Sequence, residues 1–523
     1  MFSLKLIEYQ NFANELNINF IACDNTLLNW YYPSKSFLGL FDLGEEELKI
    51  NPKIWMDRIE ADNMRNFIEK AGSLAENVIS ENFEFVFRAI SKGFHLKTIR
   101  IHFFKPNDKT NGRYFICAAE DITSVSRLKF EAAKAKDREI ETSARIQKAL
   151  LSAQFYIDNS DMEIAAETLP SNKVDGDFYE FISLSQSSMD FIIGDVMGKG
   201  IAAALLAAGV KSAFYKQLIN RITTNNKLPD IINLIQDIEQ TLGRELIRLE
   251  KFLTLYYCRI SIDKPALRFI DAGHTSFIYF DSGDGSCWTV KGSNMPIGFI
   301  RAQDYKKYIL PLKRNDILFF YSDGISDIEN SENVRFGQER IRQMISAHSG
   351  LKMSELIKKI FNVCFFFAAE EFKDDMTAAA IKIKKCAAKK KYAYKQYHFD
   401  NVKDVDLPSA RSEFDGDLKN SYKSQAEETL TKITIAFIEI IANSMAYTKE
   451  SVGISWELGE DSCALSIVFY SDDFEWYKAS VPRIAEYQQS GFGFYLVSQG
   501  VDSLLLLQGP ENKKKIVMVK EFP

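Results

Sequence analysis

Phe191-Ile192-Ile193-Gly194-Asp195-Val196-Met197-Gly198-Lys199-Gly200 places a carboxylate at the end of an apolar run and follows it at once with glycines. A short apolar run bounded by Gly reads as a buried strand, and the glycines let backbone come close to whatever the carboxylate holds. Three further segments repeat the pattern: Val174-Asp175-Gly176-Asp177-Phe178-Tyr179, Leu318-Phe319-Phe320-Tyr321-Ser322-Asp323-Gly324, and Asp374-Asp375-Met376-Thr377 ahead of the apolar run Ala378 to Ile383. One Asp-Gly pair is ordinarily a turn. Four carboxylates at strand ends, three of them beside Gly, are how hard divalent cations such as magnesium or manganese are held, and two such ions can share and acidify a water aimed at phosphorus.

Working outward, the same stretch holds Ala144-Arg145-Ile146-Gln147-Lys148-Ala149-Leu150-Leu151, Ala202-Ala203-Ala204-Leu205, Ala272-Gly273-His274, Pro296-Ile297-Gly298 and Phe336-Gly337, in that order. The set resembles the SpoIIE/RsbU branch of the PPM metal-dependent Ser/Thr protein phosphatases over about residues 140 to 384. The resemblance implies a β-sandwich of two antiparallel sheets flanked by helices, with two divalent ions (Mn2+ or Mg2+) in a cleft at one end. It also implies that Asp195 bridges both ions, that the Val196 carbonyl ligates one, that Asp323 and Asp374 hold the other, and that Asp177 acts through water or as a further ligand. These four aspartates are the expected catalytic residues. Asp175, Glu180, Met197 and Asp271 depart from the family's usual Gly, Asp, Ser and Asn. His274 is expected to be structural first and a general acid second. The helical blocks Ile201 to Asn220 and Pro229 to Leu249 follow the Asp195 loop, so a shift of either would move a ligand.

Upstream, residues 1–122 alternate aromatic strands with turns: Ile18 to Cys23, Phe83 to Arg88, Thr98 to Phe104 and Tyr114 to Ala119. An antiparallel sheet with small helices is the expectation. Asp57-Arg58-Ile59-Glu60-Ala61-Asp62-Asn63-Met64 and Ala118-Ala119-Glu120-Asp121-Ile122-Thr123 resemble a PAS sensor domain. From Thr123 to Pro170 there is neither Gly nor Pro, and Ser126 to Gln154 reads as one helix within a linker at 123–155. Its weak heptad seam begins at Val125 and Leu128 and allows either a solvated connector or a parallel coiled-coil homodimer.

The phosphatase-like region is bounded at 156–386. The basic stretch Lys382 to Lys395 reads as a solvated linker into 387–523. In that last region Glu439, Asn443 and Tyr447 fall on one helical face. With Ser490-Gly491-Phe492-Gly493-Phe494-Tyr495-Leu496 they resemble the GHKL ATPase fold of anti-sigma-factor kinases. The resemblance implies Mg2+/ATP at Glu439, Asn443, Asp472, Gly491 and Gly493, although Phe474 stands where the family has Gly; an ATP site and a degenerate, partner-binding module both stay open. The overall fold class is multidomain α+β.

Length and composition agree. The 523 residues suffice for three to four domains, and 46% hydrophobic with 26% charged residues is ordinary globular material. Lys and Arg number 65 against 71 Asp and Glu, a net charge of −6 that excludes nucleic acid as an expected main partner. Seven scattered Cys without a C-x-x-C pair are expected to be reduced thiols, and no apolar run of membrane-spanning length is read, so a cytoplasmic protein is expected. The functional expectation is a signal-regulated phosphatase removing phosphate from a small anti-anti-sigma (STAS-type) protein in partner switching, with a sigma factor as a further partner. The rivals are a non-catalytic scaffold for a sigma factor or phosphoprotein, and an anti-sigma kinase whose phosphatase region is a brake.

Overall fold

The computed structural model describes all residues except 1, 25–28, 52–53, 67–82, 105–113, 151–153, 170, 172–175, 186, 226, 301–302, 370–371, 373, 388–390, 449, 473–496 and 523. Two compact units are formed, Met1–Glu139 and Ile140–Pro523.

In the first unit the aromatic alternation yields β1 (Phe20–Asp24), β2 (Trp30–Tyr31), β3 (Phe83–Ile90), β4 (Leu96–Phe104) and β5 (Tyr114–Asp121), antiparallel in the order β2-β1-β5-β4-β3. Ile21, Phe87, Ile99, Ile101 and Phe103 of one face bury Phe37, Phe41 and Trp55 from the short connecting segments. Trp30 meets Trp55 edge-on with ring centroids 4.7 Å apart.

The helix that leaves this sheet spans Thr123–Leu150, and Gln154 already belongs to a strand, so it ends earlier than the composition suggested. Gln154 pairs with Glu167, and sheet pairing outweighs a helical composition there. Val125 and Leu128 of the heptad seam are exposed.

The second unit is built on β6 (Gln154–Asp158), β7 (Met162–Leu169), β8 (Phe178–Ser183), β9 (Ser188–Val196), β10 (Leu253–Ser261), β11 (Ala266–Ala272), β12 (Phe277–Asp281), β13 (Ser286–Val290), β14 (Tyr308–Pro311), β15 (Ile317–Tyr321) and β16 (Met376–Ile383). One sheet runs β14-β11-β10-β9-β8, and the facing strands run β13-β12-β15-β16-β7-β6. Phe191, Tyr256, Phe277 and Phe320 interlock between them. Helices Ile201–Asn225 and Ile231–Ile238 cover the first sheet, and Gly337–His348 and Met353–Phe367 cover the second, giving four layers.

Two helical expectations change. The first block runs on to Asn225, and the second is broken into Ile231–Ile238, a π-helical turn Glu239–Gly243 and Arg244–Arg248. Asp230 caps the start by accepting from the Ile232 amide at 2.8 Å. The buried Glu239 folds its carboxylate against Gly243 and accepts from Tyr305 at 2.6 Å, which occupies the turn's interior.

The C-terminal strands are β17 (Lys391–Phe399), β18 (Val452–Gly459), β19 (Ser462–Tyr470), β20 (Ser503–Gln508) and β21 (Lys513–Glu521), in the order β17-β18-β19-β21-β20. Both ends of the basic stretch are therefore strand, Lys382 and Ile383 in β16 and Lys391 to Lys395 in β17, because the register with β18 accommodates Lys and Tyr on an outward face. Helices Leu407–Ser421 and Glu427–Ala446 pack on one side of this sheet. Glu427–Ala446 is long and apolar enough to cross a membrane by length and composition, yet Ile433, Phe437, Ile440 and Ile441 are spent in the core it forms with β18, β19 and β21.

The seam with the sandwich is continuous. β20 pairs with β13 through Thr289↔Gln508 and Val290↔Leu507, which makes one eleven-stranded sheet. Leu505, Leu507, Val517 and Val519 enter the same core as Trp288 and Phe269. Lys515 donates to the buried Asp281 at 2.8 Å, and Lys313 reaches the same carboxylate at 3.4 Å. Burial alone would push Asp281 up, but these two ammonium groups hold it below the usual carboxylate range.

That pairing sets an acid limit on the seam. A depressed folded value contributes stability that is fully present above the ordinary aspartate value of about 3.9, and it disappears as pH falls through the folded value. Asp281→Asn should lower stability by about 3 kcal/mol, since it strands the nearly buried Lys515. It should also flatten the loss of thermal stability below about pH 4, as calorimetry of the full chain would show.

Candidate active site

Asp177, Asp195, Asp323 and Asp374 come from four separate places in the chain and meet at one end of the sandwich. β9 carries Asp195 and Val196 opposite Thr254 and Leu253 of β10. Gly176 lies directly on this turn: a Cβ there would stand 2.3 Å from the Val196 carbonyl oxygen and 2.9 Å from an Asp195 carboxylate oxygen. Only glycine permits that approach. Val196 in turn donates its amide to the Gly176 carbonyl at 3.3 Å.

Across the cleft, β15 and β16 pair Tyr321 with Ala378, so the chain leaves one strand at Ser322-Asp323 just where Asp374-Asp375 enters the other. Ser322 ties the corner: its amide donates to the Thr377 carbonyl at 2.9 Å, its hydroxyl accepts from the Thr377 amide at 3.1 Å and donates to the Asp375 carbonyl at 3.2 Å. A Cβ on Gly324 would sit 2.1 Å from that carbonyl oxygen. Asp375 is fully buried and accepts from the Ser171 amide at 2.6 Å.

The carboxylates feel one another. Asp195 is pushed up to about 7, first by burial and then by repulsion from Asp323 and Asp374, with Lys199 acting in the opposite sense. Asp177 is raised well above the usual range by burial and by Asp195, with the nearby Ser322 and Thr377 hydroxyls acting in the opposite sense. Burial and Asp374 raise Asp323 as well. One Asp177 carboxylate oxygen, Oδ2, is buried with no hydrogen-bond partner among the described residues. An acceptor left bare at the foot of an acidic cleft fits a cation better than a proton donor. Asp374 turns to Lys199, whose Nζ lies 3.4 Å from its Oδ2. Among the described residues no three His, Cys, Asp or Glu side chains are grouped closely enough to hold a metal ion as they stand; the four aspartates are linked by their mutual repulsion.

His274 lies outside this exchange. It is buried, its ring is pushed down to about 3 by desolvation, and Nδ1 shares a 2.9 Å hydrogen bond with the Thr254 hydroxyl. A neutral, sequestered imidazole is a positioning element, linked through Thr254 to the strand that pairs with Asp195. Thr254 itself carried no signal in the sequence, being one hydroxyl in an apolar strand. Ser322, Thr377 and Asp375 were adjacent to the predicted ligands, and their part in the corner depends on the strand register.

With the geometry in place, the family comparison is specific. The profile of Stage II sporulation protein E (SpoIIE) matches residues 185–384, a span that includes Asp195, Asp323 and Asp374 and begins just after Asp177. This stretch is a SpoIIE/RsbU-type PPM protein phosphatase domain. The chain is 26% identical over 246 residues to Phosphoserine phosphatase RsbU of Bacillus subtilis, which covers 47% of this chain and 70% of that one. It is 24% identical over 190 residues to Phosphoserine phosphatase RsbP of the same organism, covering 36% of this chain and 45% of that one. The crystal structure of the RsbU and RsbW domains of a Mycobacterium tuberculosis protein aligns over 72% of this chain and 97% of its own, at 14% identity and a TM-score of 0.39, too low to weigh.

A cavity of about 390 Å³ sits in the seam with the C-terminal strands, lined by Arg268, Tyr279, Asp281, Trp456, Lys515 and Glu521 among others. Its charges are largely satisfied within the joint, as Arg268 with Glu521 and Lys515 with Asp281 show.

In the C-terminal region Glu439 and Asn443 lie half-buried on Glu427–Ala446, with Tyr447 exposed at its end. Asp472 accepts from the Asn512 side chain. Phe474, Gly491 and Gly493 fall outside the described residues, as does Asp175 in the phosphatase domain.

Gly324→Ala is the sharpest local test of the corner. The added methyl should cost about 1–3 kcal/mol of stability, the usual range for overpacking. It should also depress aryl-phosphate hydrolysis by displacing Asp374 and Asp375, whereas Gly350→Ala, with open space around it, should do neither. Thermal unfolding and initial rates on the two variants decide this.

Proposed function

We propose that the chain is a signal-regulated, metal-dependent serine/threonine protein phosphatase acting on a small phosphorylated anti-anti-sigma (STAS-type) protein in a partner-switching circuit in the cytoplasm. The observation that carries the metal reading is the bare, buried Asp177 oxygen beside Asp195, whose charge is opposed by Asp323 and Asp374. Asp195, the Val196 carbonyl, Asp177, Asp323 and Asp374 would hold two divalent ions, Mn2+ or Mg2+. When bound, such ions neutralise charge building on the phosphoryl oxygens and acidify a water. The chain's own part is to fix these oxygens through Gly176, Ser322 and Thr377, and to keep Lys199 at the rim, where it meets the anionic substrate.

Phosphoserine as the target is supported by the RsbU and RsbP relatives, both named phosphoserine phosphatases. Regulation has its own support. Lys211 of Ile201–Asn225 bonds Glu180 of β8 at 2.6 Å, and Arg259 ties Asp190 of β9 to the Pro229 carbonyl ahead of Ile231–Ile238. The first helix is thereby tied to β8, which pairs with the strand that carries Asp195, and the second is tied to that strand through Arg259. The five-stranded sheet of the first unit is offered as a PAS-type sensor and the exposed Val125 and Leu128 as a homodimer seam. The helix pair on β17–β21 is offered as a GHKL-type module that binds a sigma factor or the antagonist, with Mg2+/ATP at Glu439 and Asn443 if it retains a nucleotide.

The full chain should hydrolyse p-nitrophenyl phosphate with manganese. Asp323→Asn and Asp195→Asn should each lose more than the roughly 100-fold that removal of an outer-shell partner costs. The full chain is required because removing residues 387–523 would bare Trp288 and Val290. Absence of metal-dependent turnover by the native chain would favour the scaffold reading instead. Saturable binding of a fluorescent ATP analogue, lost in Asn443→Ala, is the expectation if the C-terminal module retains its nucleotide.

A further inference from the structure

Beside the acidic cleft the surface is unexpectedly apolar. Met197, two residues after Asp195, is 41% exposed, and Met295, Phe299 and Ile300 on the next loop are 49%, 57% and 42% exposed. These side chains belong to one rim. The Met197 amide donates to the Phe252 carbonyl at 3.0 Å, the Phe252 and Phe299 rings meet edge-on at 6.1 Å, and Ile297 exchanges both backbone hydrogen bonds with Leu253 at 2.9 Å. The loop is therefore a fixed ledge, anchored to β10, that holds its apolar side chains in water.

Two cations border it. Lys199 stands 3.4 Å from Asp374, and the Lys251 Nζ lies over Gly198, 2.9 Å from where a Cβ would be. The rim thus presents positive charge next to the cleft and hydrocarbon just beyond.

We propose that this ledge, Met197, Phe252, Met295, Phe299 and Ile300, is the docking surface for the folded phosphoprotein substrate. The proposal rests on the phosphatase reading above and names the part of the surface that selects a protein over a small phosphate ester. A phosphoserine side chain is short, so delivering its phosphorus to the cleft brings the substrate's own backbone and neighbours onto whatever surrounds the opening. Lys199 and Lys251 meet the phosphate's charge, and the exposed aromatic and methionine side chains meet an apolar patch on the partner, the combination that forms the core and rim of protein interfaces. Methionine suits a surface that adapts to its partner. An aryl phosphate reaches the same carboxylates without touching the ledge.

The test compares two substrates on the full chain with manganese: p-nitrophenyl phosphate, and a serine-phosphorylated STAS-class protein. Phe299→Ser and Met295→Ser, both outside the catalytic residues, should lower kcat/KM on the phosphoprotein by roughly 30-fold, the loss that a buried interface anchor carries. They should leave p-nitrophenyl phosphate hydrolysis unchanged, which also certifies folding. Unchanged turnover of the phosphoprotein would overturn the proposal, as would an equal loss on both substrates, which would make Phe299 a support of the cleft. Conversion of a native dimer to monomer by Phe299→Ser in sedimentation would assign the ledge to a second copy of the chain and overturn it as well. Failure of the native chain on p-nitrophenyl phosphate would instead remove the phosphatase reading and this surface with it. Hydrolysis of that ester without the phosphoprotein would overturn the docking surface alone.

Discussion

Like charges crowded side by side are the constraint around which this molecule is arranged. Asp177, Asp195, Asp323 and Asp374 would relax apart or stay protonated if left to themselves, as the raised value of Asp195 records. What keeps them together is backbone. Gly176 lies against the Val196 carbonyl, Gly324 lies against the Asp375 carbonyl, and Ser322 stitches β15 to β16 through three hydrogen bonds. The fold supplies rigidity at the point where electrostatics favours dispersal, which is the arrangement a cation site needs before the cation arrives.

The same rigidity offers a route for control. β8 and β9 lead to the cleft: Glu180 of β8 pairs with Lys211 of the first flanking helix, and Asp190 of β9 pairs with Arg259 of β10, whose guanidinium also donates to the Pro229 carbonyl ahead of the second. Buried pairs of this kind contribute little net stability but fix geometry, because breaking one strands a charge. The π-helical turn at Glu239–Gly243 interrupts the second helix between its capped start and the Leu246 that packs beneath Gly298. Movement of these helices is thus mechanically continuous with the position of Asp195 and with the ledge at Pro296 to Ile300.

The C-terminal region is joined to the phosphatase domain by hydrogen-bonded strands and a shared core. Val290↔Leu507 pairing, the Ser503 hydroxyl accepting from the Ile309 amide at 2.8 Å, and the Asp281 pair with Lys515 make the seam a structural joint. The face of β20 and β21 opposite the two helices is consumed by this joint.

The sequence by itself determined the chemistry and the strand ends. Asp195 after Phe191 to Gly194, Asp323 after Leu318 to Tyr321, and Asp374 ahead of Ala378 to Ile383 were legible because a carboxylate at the edge of an apolar run, beside glycine in the first two, is a local pattern, set by backbone access and burial. The long linker helix and the aromatic alternation of the N-terminal sheet were legible for the same reason. Only tertiary structure decided the rest: that Thr254 and Ser322 complete the corner, that Gln154 leaves the helix, that Lys391 to Lys395 form a strand, that Glu239 breaks a helix, and that β20 pairs with β13. Each depends on a partner far away in the chain, such as β18 for the lysines or Tyr305 for Glu239. Strand pairing and buried polar bonds draw their energy from those distant partners, so neither periodicity nor spacing along the chain could have revealed them.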